Sequence, residues 1–406
     1  MYLALLHLRI IYRKTTTLVE AVYHLANLHT YNKDRKTKKQ LKRLKILLVA
    51  PSNDATDILV ERLAAWFPPS EMTRVLAYTR SLDQVSAAAR PYCMEISDDP
   101  LSSFERIAKI KNVQITVATV NMAARLWCTT AGDGTNKKNQ KNDNDASIPR
   151  GYFDVLCVDE AGHATEPEII SAAATLLDFH STTNNPAQIV LAGDPKQLGP
   201  IITSDLCKKF KMDQSYMERL IKTSPAYNLN DETATGSQHQ EEYKPELVTF
   251  LANNYRSHPD ILKLPNEMFY RNQLVPCGDR FVTNSMRNWE YLPIKGFPVL
   301  FHAVDGENCR EGSSPSWFNP QEAMVIVDYV KKLVEDSKPK VREEDIGIIT
   351  PYARQVQKVR AITFLRFWSH YFHQPKINIT PLLFYRNDIS VININRLMMI
   401  ILLIDI

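Results

Sequence analysis

The chain predicts an α/β protein built on doubly wound parallel β-sheets, with helices on both faces of each sheet. Short apolar runs of strand length alternate with longer runs of helical periodicity, which is typical of this fold class. Two of the apolar runs, Val155–Asp159 and Ile189–Ala192, lead directly into acidic residues. Sheets of this kind bind ligands at the carboxyl ends of their strands, so both strand ends are candidate functional sites.

The predicted elements fall into two domains. In the first, 13–244, the strand-like runs are Ile46–Ala50, Val75–Tyr78, Ile115–Thr119, Val155–Asp159 and Ile189–Ala192, and the helix-like runs are Thr17–Leu28, Asp54–Trp66 and Pro167–Phe179. Hydrophilic insertions near 129–149 and 230–243 interrupt this domain. The second, 245–360, has the strand-like runs Leu247–Leu251, Val299–Phe301 and Ile346–Thr350.

Composition excludes several classes of function. The 406 residues carry 49 basic and 45 acidic side chains, so a net charge of +4 predicts no global positive field, and a nucleic-acid path would be a local groove. The six cysteines include no C-x-x-C pair, which argues against a zinc module and suits a reducing compartment. Met1–Tyr12 lacks the features of a secretory signal, and Leu397–Ile406 is far shorter than the roughly 20 residues of a membrane span. We expect a cytoplasmic protein with no membrane segment.

The string VLCVDEAGH places Asp159 and Glu160 at the end of a buried strand. One carboxylate of such a pair can hold Mg²⁺, and the other can orient or deprotonate a water. The string IVLAGDPKQLGPI offers Gly193, Asp194 and Gln197, a turn with a polar side chain able to detect a terminal phosphate. Either string alone is equally compatible with an ordinary α/β loop. Both together, in this order, favour nucleotide hydrolysis.

Three further strings join these two: LANNYRSHPDILKLPNEMFY, EGSSPSWFNPQEA and IGIITPYARQVQKVR. Together they resemble the superfamily 1 RNA helicases, and in particular the RNA-silencing branch of Armitage and the Moloney-leukaemia-virus-10-type helicases, from about Lys14 to Arg360. The resemblance implies two RecA-like domains of the P-loop NTPase type that close around ATP, Mg²⁺ and single-stranded RNA. It also implies 5′ to 3′ movement, a role in RNA silencing or messenger turnover, partners in ribonucleoprotein granules, and a cytoplasmic location.

The resemblance also implies roles for individual residues. Lys14, Thr15 and Thr16 match the tail of the phosphate loop, with Thr15 and Asp159 at Mg²⁺ and Gly193 and Asp194 near the nucleotide. Glu160 would activate water, Gln197 would sense the γ-phosphate, Arg256 would stabilise the transferring phosphoryl group, and Tyr255 would lie near the base. The alternative for Arg256 is an interdomain salt bridge. His163 is either a polar relay between the ATP and RNA sites or a locally hydrogen-bonded histidine.

The phosphate loop departs from its usual pattern G-x-x-x-x-G-K-[ST]. Leu8 and Arg13 occupy the two glycine positions, and no glycine precedes Gly132. Side chains at these positions would crowd a phosphate and disfavour positive-φ backbone. We therefore expect a damaged phosphate cradle and weak nucleotide binding.

Candidate RNA contacts follow three strands: Pro51, Ser52 and Asn53, then Ala118 and Thr119, and in the second domain Thr350, Pro351 and Tyr352. Small hydroxyl and amide groups there would bind backbone phosphates without sequence preference. Ser52 is equally suited to cap the following helix. The preference for RNA over DNA comes from the resemblance alone, and a DNA helicase of the same superfamily is the disfavoured alternative.

The two ends of the chain do not match the family pattern. Residues 361–406 contain no Gly and no Glu, so the family's Gly-Gln-Glu-type segment is missing, and residues 1–12 are equally foreign. We hypothesise that both ends are translated intron or misjoined sequence; a natural short isoform is the alternative. The second RecA-like domain would then be incomplete, with an open sheet edge.

Two functions remain: an ATP-dependent RNA helicase, or an inactive remnant that binds RNA or protein without ATP turnover.

Overall fold

The computed structural model describes residues 3–7, 14–30, 42–77, 80–94, 107–128, 148–180, 186–227, 243–244, 246–336, 341–350, 352–363, 378–381, 389–394 and 400–405. The chain forms two compact units, Met1–Leu251 and Ala252–Ile406. None of the helices in the described ranges is long and apolar enough to cross a membrane.

The first unit is built on a seven-stranded sheet in which every pairing is parallel. Its strand order is β1-β9-β8-β4-β7-β5-β6, and β2 and β3 form a separate antiparallel pair. In chain order the strands are β1 (Leu3–His7), β2 (His29–Thr30), β3 (Lys42–Arg43), β4 (Ile46–Ala50), β5 (Met72–Val75), β6 (Cys93–Met94), β7 (Ile115–Thr119), β8 (Val155–Val158) and β9 (Gln188–Gly193).

Helices cover both faces of this sheet. They are α1 (Lys14–Asn27), α2 (Asn53–Leu63), α3 (Val120–Cys128), α4 (Glu166–Leu176), α5 (Asp205–Lys209) and α6 (Tyr216–Thr223), and a further helical stretch covers 107–112. Successive residues of β4 point to opposite faces, so Leu47 and Val49 pack with α3 and α4, and Ile46 and Leu48 pack with α1 and α2. The predicted doubly wound, RecA-like α/β fold is therefore confirmed.

The edge strand β1 lies within residues 1–12, which we expected to be foreign to the family. It pairs with β9 in a register that sets His7 opposite Gly193, so it ends at the same edge of the sheet as Asp194. Helix α1 begins at Lys14, after residues 8–13. Leu8 and Arg13, at the expected glycine positions, lie outside the described residues.

The second unit contains a mixed sheet with the order β12-β16-β15-β13-β14 and a two-stranded sheet β10-β11. Its strands are β10 (Asn253–Asn254), β11 (Val275–Pro276), β12 (Val299–Val304), β13 (Ile346–Thr350), β14 (Asn378–Pro381), β15 (Ile389–Ile394) and β16 (Ile400–Asp405). Its helices are α7 (Pro259–Phe269), α8 (Arg280–Thr283), α9 (Pro320–Lys331) and α10 (Ala353–Thr363).

Some expected elements differ from the observed ones. Leu247–Leu251 is not a strand, and Leu247 and Val248 instead pack against the apolar core of the first unit. The expected strand Val75–Tyr78 is shifted to Met72–Val75, because the segment pairs with β7 through its earlier residues. Of the expected insertions, 129–147 and 230–242 lie outside the described residues. Strands β14 and β15, from 361–406, pair with the two sides of β13, so the edges of this sheet are β12 and β14.

Candidate nucleotide site and the neighbouring cavity

The start of α1 meets the end of β8. The Lys14 ammonium, almost completely buried, forms an ion pair with the Glu160 carboxylate. The Thr15 hydroxyl donates to Asp159 Oδ2 at 3.0 Å. Four residues that the sequence assigned to nucleotide chemistry therefore lie together. Thr16 faces elsewhere, because its hydroxyl accepts a hydrogen bond of 2.7 Å from Arg62 of α2.

Asp159 is a buried carboxylate, only 2% exposed. Besides the Thr15 hydroxyl, Asp159 Oδ1 accepts from the Glu160 N–H at 3.0 Å. Burial raises the pKa of Asp159 above its ordinary value, and the nearby Lys14 opposes this rise only in part. A carboxylate in such surroundings is stabilised by a cation.

The residues present fit Mg²⁺. Thr15 and Asp159 supply a hydroxyl and a carboxylate oxygen, the hard ligands that Mg²⁺ prefers. No cluster of three or more His, Cys, Asp or Glu side chains suited to a metal occurs among the described residues.

Glu160 has left-handed backbone geometry, with φ of 50°. Such a conformation costs a residue with a side chain roughly 1–2 kcal/mol, so its surroundings must hold it. The Ala161 N–H donates to the Ala192 carbonyl at 2.8 Å, and the His163 N–H donates to the Glu160 carbonyl at 2.9 Å. The turn thus presents the Glu160 side chain, 43% exposed, beside the start of α1.

Two glycines bring the DEAGH turn (159–163) and the GDPKQ turn (193–197) into backbone contact. A Cβ on Gly193 would lie 2.6 Å from the Gly162 nitrogen, and a Cβ on Gly162 would lie 2.7 Å from the Asp194 carbonyl oxygen. Neither neighbour can yield, because both are main-chain atoms. The two turns therefore form one rigid unit at the carboxyl edge of the sheet.

The GDPKQ turn is organised by the buried Asp194. Its Oδ1 accepts from the Lys196 N–H at 2.9 Å, and its Oδ2 accepts from the Gln197 side-chain amide at 3.0 Å. His163 Nδ1 lies 3.4 Å from the Leu198 carbonyl oxygen, the local contact that was one of its two expected roles. These bonds fix the position of Gln197 relative to the DEAGH turn.

A cavity of about 280 Å³ lies beside these turns. It brings together three segments that the sequence singled out separately, and its lining consists of Pro51, Ser52, Glu160, Gly162, His163, Asp194, Gln197 and Leu198. Sequence reasoning assigned no role to Gly162 or Leu198. The glycine within DEAGH was the available signal for the first of these.

The candidate RNA-binding residues of the first unit differ in accessibility. Ser52 is exposed, and its hydroxyl caps α2 by accepting the Ala55 N–H at 3.1 Å. The Asn53 side-chain oxygen accepts from Arg74 at 3.0 Å, so it faces the interior. Thr119 is buried, and its hydroxyl accepts the Met122 N–H at 3.3 Å at the start of α3. Only Ser52 presents its side chain openly.

In the second unit a tight turn holds Arg256. The buried Asn254 accepts the N–H groups of Arg256 and Ser257 at 2.9 and 2.8 Å, the pattern of an Asx turn. The Tyr255 hydroxyl accepts from Asn253 at 3.1 Å. Asn254 is thus a positioning residue that sequence reasoning missed, although Asn in NNYR was a turn signal.

The candidate RNA contacts of the second unit lie at the end of β13. Thr350 is buried, Pro351 lies outside the described residues, and Tyr352 directly precedes α10. The EGSSPSWFNPQEA segment is bonded to α10. The Arg354 N–H donates to the Ser316 hydroxyl at 3.0 Å, and the Asn319 N–H donates to the Gln355 side chain at 2.9 Å.

Comparison with known proteins assigns the class. Two family models, both described as an AAA domain, match residues 104–205 and 212–376. The chain is 37% identical to the RNA helicase Mov10l1 of Homo sapiens over 353 residues, and 36% identical to MOV-10 of Gallus gallus, described as a helicase, over 359 residues. It is 28% identical to the probable RNA helicase armi of Drosophila melanogaster over 375 residues. Each match covers 86% of this chain but 25%, 33% and 28% of those relatives.

The fold and these matches define a RecA-like helicase core of the AAA and P-loop NTPase class. The chain belongs to the helicase family of Mov10l1, MOV-10 and armi, as the sequence resemblance predicted. It spans about a quarter to a third of the length of these relatives. Structural similarity to an arterivirus helicase in complex with DNA has a TM-score of 0.31 at 12% identity over 68% of this chain and 42% of the other.

Proposed function

We propose that this chain couples ATP hydrolysis to movement on single-stranded RNA. The observation that carries the proposal is the junction between α1 and β8, where Lys14 and Thr15 contact Glu160 and Asp159. These are the residue types that bind phosphate, hold a divalent ion and activate water. The family relatives named as RNA helicases support RNA as the nucleic acid.

In this proposal Thr15 and Asp159 hold Mg²⁺, whose charge would stabilise the β- and γ-phosphates of ATP. Lys14 exchanges its ion pair with Glu160 for a phosphate oxygen. Glu160 is then free to accept the proton of the attacking water, in the role of a general base. The left-handed turn at Glu160 fixes the direction from which it does so.

Three further residues complete the ATP chemistry. Gln197 is held by Asp194 and shares the cavity with Glu160, which supports a role in sensing the γ-phosphate. Arg256 would stabilise charge on the transferring phosphoryl group, and the Asx turn at Asn254 supports a fixed main chain for it. Tyr255 would lie near the base.

RNA would contact the strand-end segments. Ser52 is the best supported contact, because its exposed hydroxyl borders the cavity that also contains His163. Thr350, Pro351 and Tyr352 are the proposed contacts of the second unit. Thr119 has weaker support because its hydroxyl caps α3. Cytoplasmic ribonucleoprotein granules and RNA-silencing proteins are the proposed location and partners.

A second candidate function is an inactive remnant that binds RNA or protein without turnover. The specific observation in its favour is the sequence before α1, where Leu8 and Arg13 occupy the glycine positions of the phosphate loop. The ion pair between Lys14 and Glu160 is compatible with both functions.

The ATPase rate of the 406-residue chain with increasing oligouridylate RNA separates the two functions. We expect RNA to raise the rate, and Glu160→Gln to lower the stimulated rate by at least about a hundredfold, as for loss of a general base. Glu61→Gln changes an exposed carboxylate of α2 and is the matched control. A rate that is flat with RNA and equal to that of Glu160→Gln would establish the remnant. Single-stranded DNA of equal length tests the preference for RNA.

A further inference from the structure

Arg74 is the largest completely buried side chain of the described residues, with an exposure of 0%. It lies on β5, two strands away from β4 and outside the nucleotide site. Removing a guanidinium from water costs several kcal/mol unless it is paired and hydrogen-bonded. A buried guanidinium that is paired and hydrogen-bonded can fix the arrangement of its partners.

Two of the contacts of Arg74 join it to the first two turns of α2. Its Nε donates to Asp57 Oδ1 at 3.2 Å, its Nη2 donates to Asn53 Oδ1 at 3.0 Å, and its Nη1 donates to the Val75 carbonyl. Asn53 and Asp57 are four residues apart and therefore share one face of the helix. The rigid fork of one guanidinium presents a separate nitrogen to each of them, a geometry that a lysine ammonium does not have.

Arg80 provides a natural comparison. Its Nη2 donates to Asp57 Oδ2 at 2.6 Å and pairs with Asp54 Oδ1 at 2.9 Å. It also donates to the Gln84 carbonyl at 3.2 Å. Arg80 therefore neutralises the same carboxylate as Arg74 from the other side, but its contacts are to Asp54, Asp57 and Gln84, whereas Arg74 binds the Asn53 amide.

We propose that Arg74 is a positioning residue for nucleic-acid binding, which it serves by holding the Asn53 amide and thereby orienting the segment Pro51–Asn53. The proposal rests on the proposed function. Ser52 borders the cavity, and it directly precedes Asn53, whose side chain Arg74 holds. The Asn53 side-chain oxygen acts inward as an anchor, and the exposed Ser52 hydroxyl faces outward.

The physical consequence is preorganisation. The Ser52 hydroxyl already accepts the Ala55 N–H, and the Thr56 hydroxyl donates to the Asn53 carbonyl at 2.6 Å, so the turn is closed from the helix side. Arg74, which lies on the sheet, holds the same turn from the other side through its hydrogen bond to the Asn53 side chain. A segment held from both sides loses little conformational entropy when it binds a phosphate, and this lowers the cost of binding.

A double-mutant cycle tests the proposal. The dissociation constant of a fluorescein-labelled oligouridylate is measured by anisotropy, without nucleotide and at several salt concentrations, for the wild type, Arg74→Lys, Asn53→Ala and the double variant. Arg80→Lys is the matched control, and thermal melting shows that each variant is folded.

We expect each single variant to weaken RNA binding by about fivefold to tenfold, the effect of roughly one hydrogen bond. The double variant should bind as weakly as either single variant, because both changes remove the same contact. Arg80→Lys should keep the wild-type affinity. The slope of log affinity against log salt should not change in Arg74→Met/Asp57→Leu, which removes the Arg74 charge together with its partner. A direct phosphate contact by Arg74 would instead reduce the slope by about 0.7.

Additive effects in the double variant, a reduced salt slope, or wild-type affinity in a folded Arg74→Lys would each overturn the proposal. If Arg74→Lys does not fold, the variant Arg74→Met/Asp57→Leu takes its place in the cycle, because it removes both charges together. The same outcomes then decide the proposal. A wild-type chain that binds no RNA would refute the proposed function itself. Binding by the wild type with equal binding by all variants would refute only the role of Arg74.

Discussion

Two buried carboxylates at the same edge of the first sheet differ in how their charge is compensated. Asp57, in the second turn of α2 after β4, is contacted by the guanidinium groups of Arg74 and Arg80. Asp159, after β8, accepts from the Thr15 hydroxyl and its neighbour's N–H, while the Lys14 ammonium pairs with Glu160.

This difference in charge compensation indicates a structural role for Asp57 and a ligand-binding role for Asp159. Asp57 has its countercharges within the protein, so its ion pairs stabilise the helix that it belongs to. Burial raises the pKa of Asp159, which means that the folded protein holds this carboxylate without full compensation. An incompletely compensated carboxylate beside a cavity is a candidate site for a cation. The contrast between Asp57 and Asp159 leads to four predictions.

The largest effect is expected for Asp57→Ala. It leaves Arg74 buried without a carboxylate, so the free energy of unfolding of the first unit should fall by about 3–5 kcal/mol. Urea denaturation measures this. The control is Asp54→Ala, whose exposed carboxylate should contribute less than about 1 kcal/mol. Equal losses for the two variants would show that the Asp57 network is not special.

Gly193→Ala tests the contact between the DEAGH and GDPKQ turns. The new Cβ would lie 2.6 Å from the Gly162 nitrogen and 2.9 Å from Met217 Sδ, so the turns must separate. We expect a loss of about 1–3 kcal/mol of stability and loss of RNA-stimulated ATPase. Gly199→Ala is milder, because its Cβ would meet only the Asp213 carbonyl oxygen, at 3.3 Å. Unchanged activity in Gly193→Ala would contradict a rigid junction.

Asp159→Asn should act in the opposite direction to Asp57→Ala. Because the folded pKa of Asp159 is raised above its usual 3.8, ionisation of this group lowers stability as pH rises through the folded pKa. The variant should therefore melt at a higher temperature than the wild type at neutral pH, although it loses ATPase activity. The gap should close below the ordinary pKa, where the carboxyl is protonated in both states. A lower melting temperature at pH 7 would refute incomplete compensation.

The smallest effect is expected at Cys157, on the strand that carries Asp159. Complete burial raises the pKa of this thiol to about 12, so the native protein should not be alkylated there at pH 8. The partly exposed Cys207 is the internal control for labelling by iodoacetamide. Mass spectrometry of the peptides should find Cys157 modified only after denaturation. Labelling in the native state would show that the strand opens readily.

The first sheet was predictable because its strands are continuous apolar runs. Ile46–Ala50 and Ile115–Thr119 occur as expected, since every residue of both is buried and their length settles the choice of strand. The strand β1 and those after residue 363 were not expected. Their pairing is set by backbone hydrogen bonds to β9, β12 and β13, which no local pattern encodes.

The candidate site was predictable where side chains had recognisable chemistry. Lys14, Thr15, Asp159 and Glu160 could be named from their strings, and they lie together. The anchoring role of Arg74 could not, because its importance comes from contacts with Asn53 and Asp57 across separate elements. The inward orientation of Asn53 was hidden for the same reason.

Calorimetric titration with ATPγS, in Mg²⁺ and then in EDTA, tests the central contrast most directly. If Asp159 is the carboxylate that requires a cation, the wild type should bind the nucleotide with Mg²⁺ and far more weakly without it. Asp159→Asn should then lose the advantage that Mg²⁺ gives. Equal binding by the wild type in Mg²⁺ and EDTA, or no binding at all, would contradict the assignment of this junction as a nucleotide site.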